Sequence, residues 1–496
     1  MSFVLKRTLW IICCLCPVFL KAQFLDSLQL QIGTNFTLAQ KDYQPLWLVA
    51  NRYATISEEK TDVSSYLYFS NQHIFNSSGK YIKAKPYLAL DYGMAVYNNA
   101  HFKINIVQQA YMRFSYGKWA LRAGRYEQSI GEVHQELSSG SLGISQNALP
   151  IPKISIANSD YVEVPFTNGW LQFKGVFSHG WMGKERQMQR AFLHEKALHL
   201  RVGKNKLMLY GGVQHYGIWG GIESDTFKMD RSFQGFMNVV LVKEADDGSV
   251  HRFHPDIRPN RAGMQRGSVD GGVLYEGEYF LFHFYTQTPI ETGTSITFRN
   301  IDRLVGISLD NKNRTGVIQS VLLEFLYTKQ MSNFKGAKEP YHYYVNGVYQ
   351  TGWEYMQQVI GSPLIINRTR ASKYFEEIEA PQWNPEVQYP MNYNMPGNRV
   401  VAAHLGLLAS PFPKLKTKTL LSFARYYPNK DSQDILAPHK NQGYALQQLT
   451  YQAGPMLTMN ADVGIDWGDL SRNTGLMLGL VWHIRPYIIS DISKRK

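Results

Sequence analysis

Beyond residue 22 the chain has no run of the ~18 apolar residues a membrane helix needs. Apolar and polar side chains instead alternate along stretch after stretch. From Phe102 one face reads Phe102, Ile104, Ile106, Ala110, Met112 and Phe114, and the other Lys103, Asn105, Gln109, Tyr111, Arg113 and Ser115. The segment Leu457 to Trp467 sets Leu457, Met459, Ala461, Val463, Ile465 and Trp467 against Thr458, Asn460, Asp462, Gly464 and Asp466. A last clear segment sets Leu476, Leu478, Leu480, Trp482 and Ile484 against Met477, Gly479, Val481 and His483. Successive side chains of a strand point to opposite faces, so each segment is a strand with one apolar and one polar face. A soluble sandwich buries such apolar faces between two sheets. A membrane barrel turns them to lipid and keeps polar side chains inside.

Three features favour the barrel. The alternating segments run about 9–13 residues, the length of a tilted crossing of the hydrocarbon rather than the usual five or six of soluble sheets. Their polar faces carry Lys, Arg, Asp, Gln and Tyr, as a hydrated or hydrogen-bonded lumen requires. Aromatics stand near strand ends (Tyr97, Phe102, Tyr116, Trp119, Trp467, Trp482), where interfacial girdles form. A mean hydropathy of −0.29 then follows from only alternate residues meeting lipid. Short connections, such as Tyr116-Gly117-Lys118-Trp119 and 468–473, alternate with long polar ones near 127–168, 222–262, 328–346, 361–397 and 427–443. Tight turns at the periplasmic end and long loops outside are the porin pattern. The 496 − 22 = 474 residues after Ala22, at roughly 26 per strand and connection, give about 18 strands. The expectation is an all-β fold: one transmembrane antiparallel β-barrel of about 18 strands with long extracellular loops, spanning 23–496 as a single domain.

Residues 1–22 read as a cleaved secretory signal. Lys6 and Arg7 precede the apolar run Leu9–Leu20, and Lys21-Ala22 follows. All three cysteines (Cys13, Cys14, Cys16) lie there, so the mature chain holds no disulfide, zinc-thiolate site or cysteine nucleophile. Removing Lys6, Arg7 and Lys21 takes the net charge from +13 to 13 − 3 = +10. That excess suits an anionic polymer or lipopolysaccharide phosphate, or simply a basic outer-membrane protein. Nucleic acid is excluded by the compartment.

Catalytic signatures are missing. His194-Glu195 with His199 resembles a zinc-protease helix, but the spacing is five rather than four, which puts the histidines on opposite faces of a strand. Asp310-Asn311-Lys312-Asn313 has Lys where a calcium loop needs an oxygen ligand. No phosphate-binding loop, dinucleotide fingerprint or Gly-x-Ser-x-Gly elbow occurs. The reading is therefore non-enzymatic, with no metal site and no cofactor.

Four denser segments stand out. One holds Arg122-Ala-Gly-Arg125 and Gly131-Glu132, then the run from Leu137 through Asn147 to Pro150-Ile-Pro152-Lys153, where two prolines forbid a central strand and Ser/Gly favour a folded loop. The second runs from Leu193-His194-Glu195-Lys196 to Arg201, then through His215 to Trp219-Gly220-Gly221. The third is Asn300-Ile-Asp302-Arg303-Leu-Val-Gly306. The fourth is Tyr344-Val-Asn346-Gly-Val-Tyr349-Gln-Thr-Gly352-Trp353-Glu-Tyr355, ending Ile360-Gly361-Ser-Pro363. In this order they resemble the Wzi family of outer-membrane capsule-assembly proteins, over roughly Trp47 to Ile484. The resemblance implies an 18-stranded barrel acting as a lectin-like anchor for capsular polysaccharide rather than as polymerase or export pore. It departs from the family in two places. Family members can carry a helix bundle at the periplasmic end, for which only 57–66 is available here, and the chain ends in the basic tail Asp491-Ile-Ser-Lys-Arg-Lys.

Sugar rings present C–H faces that stack on aromatics and hydroxyls that need fixed donors and acceptors. Trp219, Tyr344, Asn346, Tyr349 and Trp353 are the candidate polysaccharide contacts on that ground, with turn, bulge and girdle roles as the alternative. Arg125, Asn147, Lys153, His194, Lys196 and Arg201 are assigned to a polar network of lumen or loops. Arg122 and Arg125, three apart, should face opposite ways, with Arg125 in an internal salt bridge. The expected partners are capsular or exopolysaccharide, outer-membrane lipid and lipopolysaccharide, with the protein a monomer in the outer membrane. The rival readings are a porin-like channel for saccharides or other small solutes, and a secreted soluble glycan hydrolase.

Overall fold

The computed structural model describes residues 27–75, 87–158, 160–243, 262–291, 300–312, 316–330, 343–384, 387, 389–390, 392–429 and 435–484. The signal segment and the basic C-terminal tail lie outside these residues.

The alternating segments form one closed antiparallel sheet. In chain order its strands are β1 (Gln29–Tyr43), β2 (Glu59–Ile74), β3 (Leu88–Asn99), β4 (Ile104–Tyr116), β5 (Trp119–Arg125), β6 (Lys153–Asn158), β7 (Val162–Glu163), β8 (Leu171–Trp181), β9 (Phe192–Lys204) and β10 (Leu207–Trp219). They continue with β11 (Met264–Glu276), β12 (Phe280–Ile290), β13 (Arg303–Asn311) and β14 (Ile318–Tyr327). A two-residue hairpin, β15 (Glu354–Tyr355) and β16 (Gln358–Val359), stands apart from the wall. The last five are β17 (Val400–Phe412), β18 (Leu415–Tyr426), β19 (Lys440–Gln452), β20 (Leu457–Gly468) and β21 (Asn473–His483). Each wall strand pairs with its neighbours in sequence, and β1 closes the ring on β21 with Gln31 opposite His483. Because β6 and β7 both pair with β8, they share one position, and the barrel has 18.

The two faces match the alternation. Leu478, Leu480 and Trp482 are outward and exposed, while Met477, Val481 and His483 are buried inside. Ile307, Leu309, Leu323, Phe325 and Phe423 continue the outward apolar band, with Trp119, Trp170 and Tyr279 at one rim and Trp181 and Trp467 at the other. On β4 the faces differ from the expectation on the N-terminal side of Gln108. A register shift between Ala95 and Val96 of the partner strand inserts one extra residue, so Val107 is exposed and Ile106 packs on the core. Another difference concerns residues 57–66, which enter strand β2 rather than a helix.

Both described termini and the turns 117–118, 205–206, 277–279 and 413–414 lie at one end, the periplasmic end of such a barrel. The short connections 100–103 and 469–472 lie at the other, unlike the porin pattern expected for 468–473. The long connections lie there as well, and two of them fold inward. The β1–β2 connection dips in through a four-residue helix, Leu46–Val49, all buried. The connection 126–152 goes deeper. Its tip pairs with residues near the periplasmic ends of three strands: Glu132 with Lys174 (2.9 Å), His134 with Asp310 (3.1 Å) and Glu136 with Lys416 (3.2 Å). The expected loop 127–168 thus ends early, since 153–163 belongs to the wall.

Candidate functional site

The core of this molecule is its filled lumen. Loop 126–152 is fixed to the wall by Glu324 of β14, which accepts from Ser138 Oγ (2.7 Å), Ser139 N (2.7 Å), Ser139 Oγ (2.6 Å) and the Tyr285 hydroxyl. Gly406 of β17 lets the loop press on the wall, because a Cβ there would stand 2.7 Å from Leu137 Cβ. Beside it a chain of hydrogen bonds crosses the lumen: Trp47 Nε1 donates to Ser422 Oγ (3.0 Å), Ser422 pairs with His404 Nδ1 (2.7 Å), and His404 Nε2 donates to Leu137 O (2.8 Å). These partners assign the imidazole proton to Nε2. A cavity of about 230 Å³ remains against the loop tip, bordered by Asn51, Arg52, His134, Glu136 and Lys418.

The extracellular segment 343–366 lies over this loop and interlocks with it. Trp353 Nε1 donates to Gly143 O (2.7 Å), the Tyr344 hydroxyl to Leu142 O (2.8 Å), and Asn147 Nδ2 to Val359 O (2.9 Å). The Arg266 guanidinium stacks on Tyr344 (4.1 Å) and Trp353 (4.9 Å). Glu354 is enclosed with Asn367 and Asn394, each donating at 2.8 Å, and burial pushes its carboxyl up to about 7.

The candidate sugar contacts therefore sit in packed positions. Trp353 is 0% exposed, Tyr344 and Tyr349 are 1%, and Trp219 is 4%, so none presents a free ring face. Tyr349 donates to Gly220 O (3.1 Å), and Asn346 Oδ1 accepts from Val348 N and Tyr349 N. Tyr344, Asn346, Tyr349 and Trp353 are brought together, whereas Trp219 lies on the outer wall against Phe192 and Phe236.

The polar residues divide in the same way. Lys153 meets Glu195 inside the lumen at 2.9 Å, with Ser178 Oγ 2.6 Å from the same carboxylate. Arg201 faces inward too, donating to Gln172 Oε1 and stacking 4.0 Å from the Tyr161 ring. His194 and Lys196 instead take the outward side, opposite Glu195, because each lies one residue from that inward position. A helix, Phe233–Val240, covers them from outside: Phe236 stands 5.7 Å from the His194 ring, and Lys196 Nζ donates to Val240 O. Arg122 and Arg125 do not diverge as alternation requires. Gly124 has φ 114°, which breaks the alternation, so Arg122 lies over Tyr126 while Arg125 donates to the Tyr355 hydroxyl at 3.1 Å. No carboxylate lies within 4.0 Å of Arg125 among the described residues, in contrast to the expected salt bridge.

The sequence reading passed over an aromatic cluster on the outer surface. Trp383, Tyr389 and Tyr393 are half-buried, with ring centroids 4.4–5.8 Å apart, and Arg368 stacks 4.0 Å from Tyr393. The run Gln382-Trp383-Asn384-Pro385 and Tyr389-Pro390-Met391-Asn392-Tyr393 carried the signal, three aromatics among amides and prolines in a long loop. Among the described residues no group of three His, Cys, Asp or Glu could hold a metal ion.

Fold and site together define an outer-membrane β-barrel whose lumen is occupied by its own loops. A family description, capsule assembly protein Wzi, matches residues 50–366. The chain belongs to that family. Among solved structures it is similar to Wzi of Escherichia coli, described as a carbohydrate-binding β-barrel involved in group 1 capsule assembly. Identity is 13% and the TM-score 0.55, over 94% of this chain and 86% of that one. Two Pseudomonas aeruginosa structures also match: OpdL (9% identity, TM-score 0.45, 93% and 99% covered) and OprD (8%, 0.45, 94% and 96%). No curated protein matches.

Proposed function

We propose that this barrel is a non-enzymatic, lectin-like protein that binds capsular or exopolysaccharide at its extracellular loops and holds the polymer at the cell surface. The observation that carries the reading is the interlocked filling of the lumen by 126–152 and 343–366, which leaves the outer loop surface as the working face. A solute channel needs a continuous aqueous path, and the Glu324 anchor and the Trp353–Gly143 contact occupy that path. The packed residues Tyr344, Asn346, Tyr349 and Trp353 act by fixing the shape of this surface. The half-exposed Trp383–Tyr389–Tyr393 platform offers stacking faces with Arg368 beside it, and Trp219 braces the helix Phe233–Val240. One chain closes its own wall, which supports a monomer. Residues 1–22 would be removed during export to the outer membrane.

Cells lacking the protein should shed polysaccharide into the medium while making it at the normal rate. In binding measurements with detergent-solubilised protein, Trp383→Ala with Tyr389→Ala should weaken the polymer about tenfold, from two contacts of about 0.7 kcal/mol each. Unchanged cell-bound polymer in the deletion strain would sink the proposal. Large steady single-channel currents from the wild type would return the channel to first place.

A further inference from the structure

At the extracellular rim, the lipid-facing side of four neighbouring strands carries a row of cations. Arg303 opens β13, Lys329 follows β14, Arg399 precedes β17, and Arg425 is the penultimate residue of β18. The registers align them: Arg303 is opposite Tyr327, Tyr327 opposite Val401, and Val401 opposite Arg425. Parity sets their direction. Ile307 and Leu309, Leu323 and Phe325, and Phe423 are outward and exposed on the same strands, two or more residues nearer the membrane centre. Leu304, Leu326, Val400 and Tyr426, one residue from each cation or its row, are buried inside. The cations thus stand just above the apolar band, on the wall rather than in the lumen. At about 4.8 Å per strand the row spans about 15 Å.

Their direct contacts are to neutral groups, while the buried Asp302 beside Arg303 attracts Arg399 from a distance. Arg303 donates to Ile301 O and Asn300 O, Arg399 to Lys329 O and Pro428 O, and Arg425 to the Asn441 side chain, all neutral acceptors. Lys329 lies 4.1 Å from the Tyr427 ring. Among the described residues no carboxylate is within 4.0 Å of any of the four. The exposed Asp469, bonded to Asn441 N, bounds the row on the β20 side. Tyr327 and Tyr427 supply interfacial aromatics between the charges.

We propose that this row is a binding site for the phosphorylated headgroup of an outer-leaflet glycolipid, whose acyl chains lie along the apolar band below. Guanidinium groups with a planar donor fork suit phosphate oxygens, and the membrane-facing position selects a lipid over a soluble anion. The site is separate from the loop surface assigned to polysaccharide and does not depend on that reading.

The test is native mass spectrometry of the full-length protein in detergent, titrated with a bisphosphorylated glycolipid and with its dephosphorylated form. The phosphorylated lipid should bind and the dephosphorylated form should not. Each removed charge should weaken binding about fivefold, so Lys329→Gln with Arg425→Gln should raise the apparent Kd about 25-fold. Lys204→Gln, at the opposite rim, should leave it unchanged. Folding is checked by heat-modifiable gel mobility. Arg425→Gln alone, which disturbs only the Asn441 side-chain contact, gives the same readout if the double variant does not fold. Equal binding of the two lipids would overturn the proposal, as would unchanged affinity in the variants. So would displacement of the lipid by millimolar inorganic phosphate or by an acidic, lipid-free polysaccharide.

Discussion

Replacing Glu324 by Gln removes the charge that four donors share at the wall of the lumen. Hydrogen bonds to an ionised acceptor contribute about 1.5–3 kcal/mol each and neutral ones about 0.5–1.5, so the loss is about 1 kcal/mol per bond and about 3 kcal/mol over the three that hold the loop, from Ser138 Oγ, Ser139 N and Ser139 Oγ. The amide side chain also no longer carries the cost of burying a charge, which offsets part of this. A net loosening of about 1–3 kcal/mol remains, equivalent to a rise of about 5- to 150-fold in the fraction of molecules with loop 126–152 displaced. Planar-bilayer recording reads that fraction directly. The wild type should be quiet, and Glu324→Gln should show intermittent openings. Limited proteolysis in the same detergent should cut the variant within 129–149 and spare the wild type. A variant as quiet and as protease-resistant as the wild type would refute the claim that this carboxylate anchors the loop.

Two further outcomes follow from the packing. Gly406→Val sets a branched side chain against Leu137 and should cost about 1–3 kcal/mol, seen as loop cleavage by protease while the barrel's gel mobility is kept. Glu354 has a folded-state pKa raised by burial to about 7, so its contribution runs opposite to that of a salt-bridged carboxylate. The proton-bound form favours the folded loop, and stability falls as pH rises from its ordinary value near 4.5 through about 7. Protection factors for amide exchange around 344–367, corrected for the base-catalysed intrinsic rate at each pH, should therefore be higher at pH 5 than at pH 8. Glu354→Gln should flatten the difference, and a persistent difference in that variant would assign it elsewhere.

Much of the wall was legible because it rests on a local rule. Leu457–Trp467 and Leu476–Ile484 state their two faces residue by residue, and the paired strands keep them. The extra residue near Gln108 carries no local mark, so Ile106 was placed on the wrong face. The filled lumen was out of reach for a different reason. Ser139 finds Glu324 across 185 residues, and nothing near Ser138-Ser139 names a carboxylate as partner. The outward fate of His194 and Lys196 also needed a distant element, the helix Phe233–Val240, which shelters polar groups that would otherwise face lipid. The aromatic richness of 344–355 was visible. That these rings would be spent on packing while Trp383, Tyr389 and Tyr393 stayed half-exposed depends on which loop lies on top.

The way the ring is closed also constrains the order in which it can form. Backbone pairing of β1 with β21 joins residues more than 430 positions apart, as the Lys41 N to Asn473 Oδ1 bond at a separation of 432 illustrates. The loop enclosed by that seam touches β8, β13, β14, β17 and β18, nearly half the circumference. A chain segment pinned at so many points, with its tip near the inner mouth, is hard to thread through a finished ring. The sheet therefore curls around it, and the last seam is sewn over a cargo already in place. A newly exported chain stalled there would display both its unpaired edges and its unsheltered lumen to the periplasm.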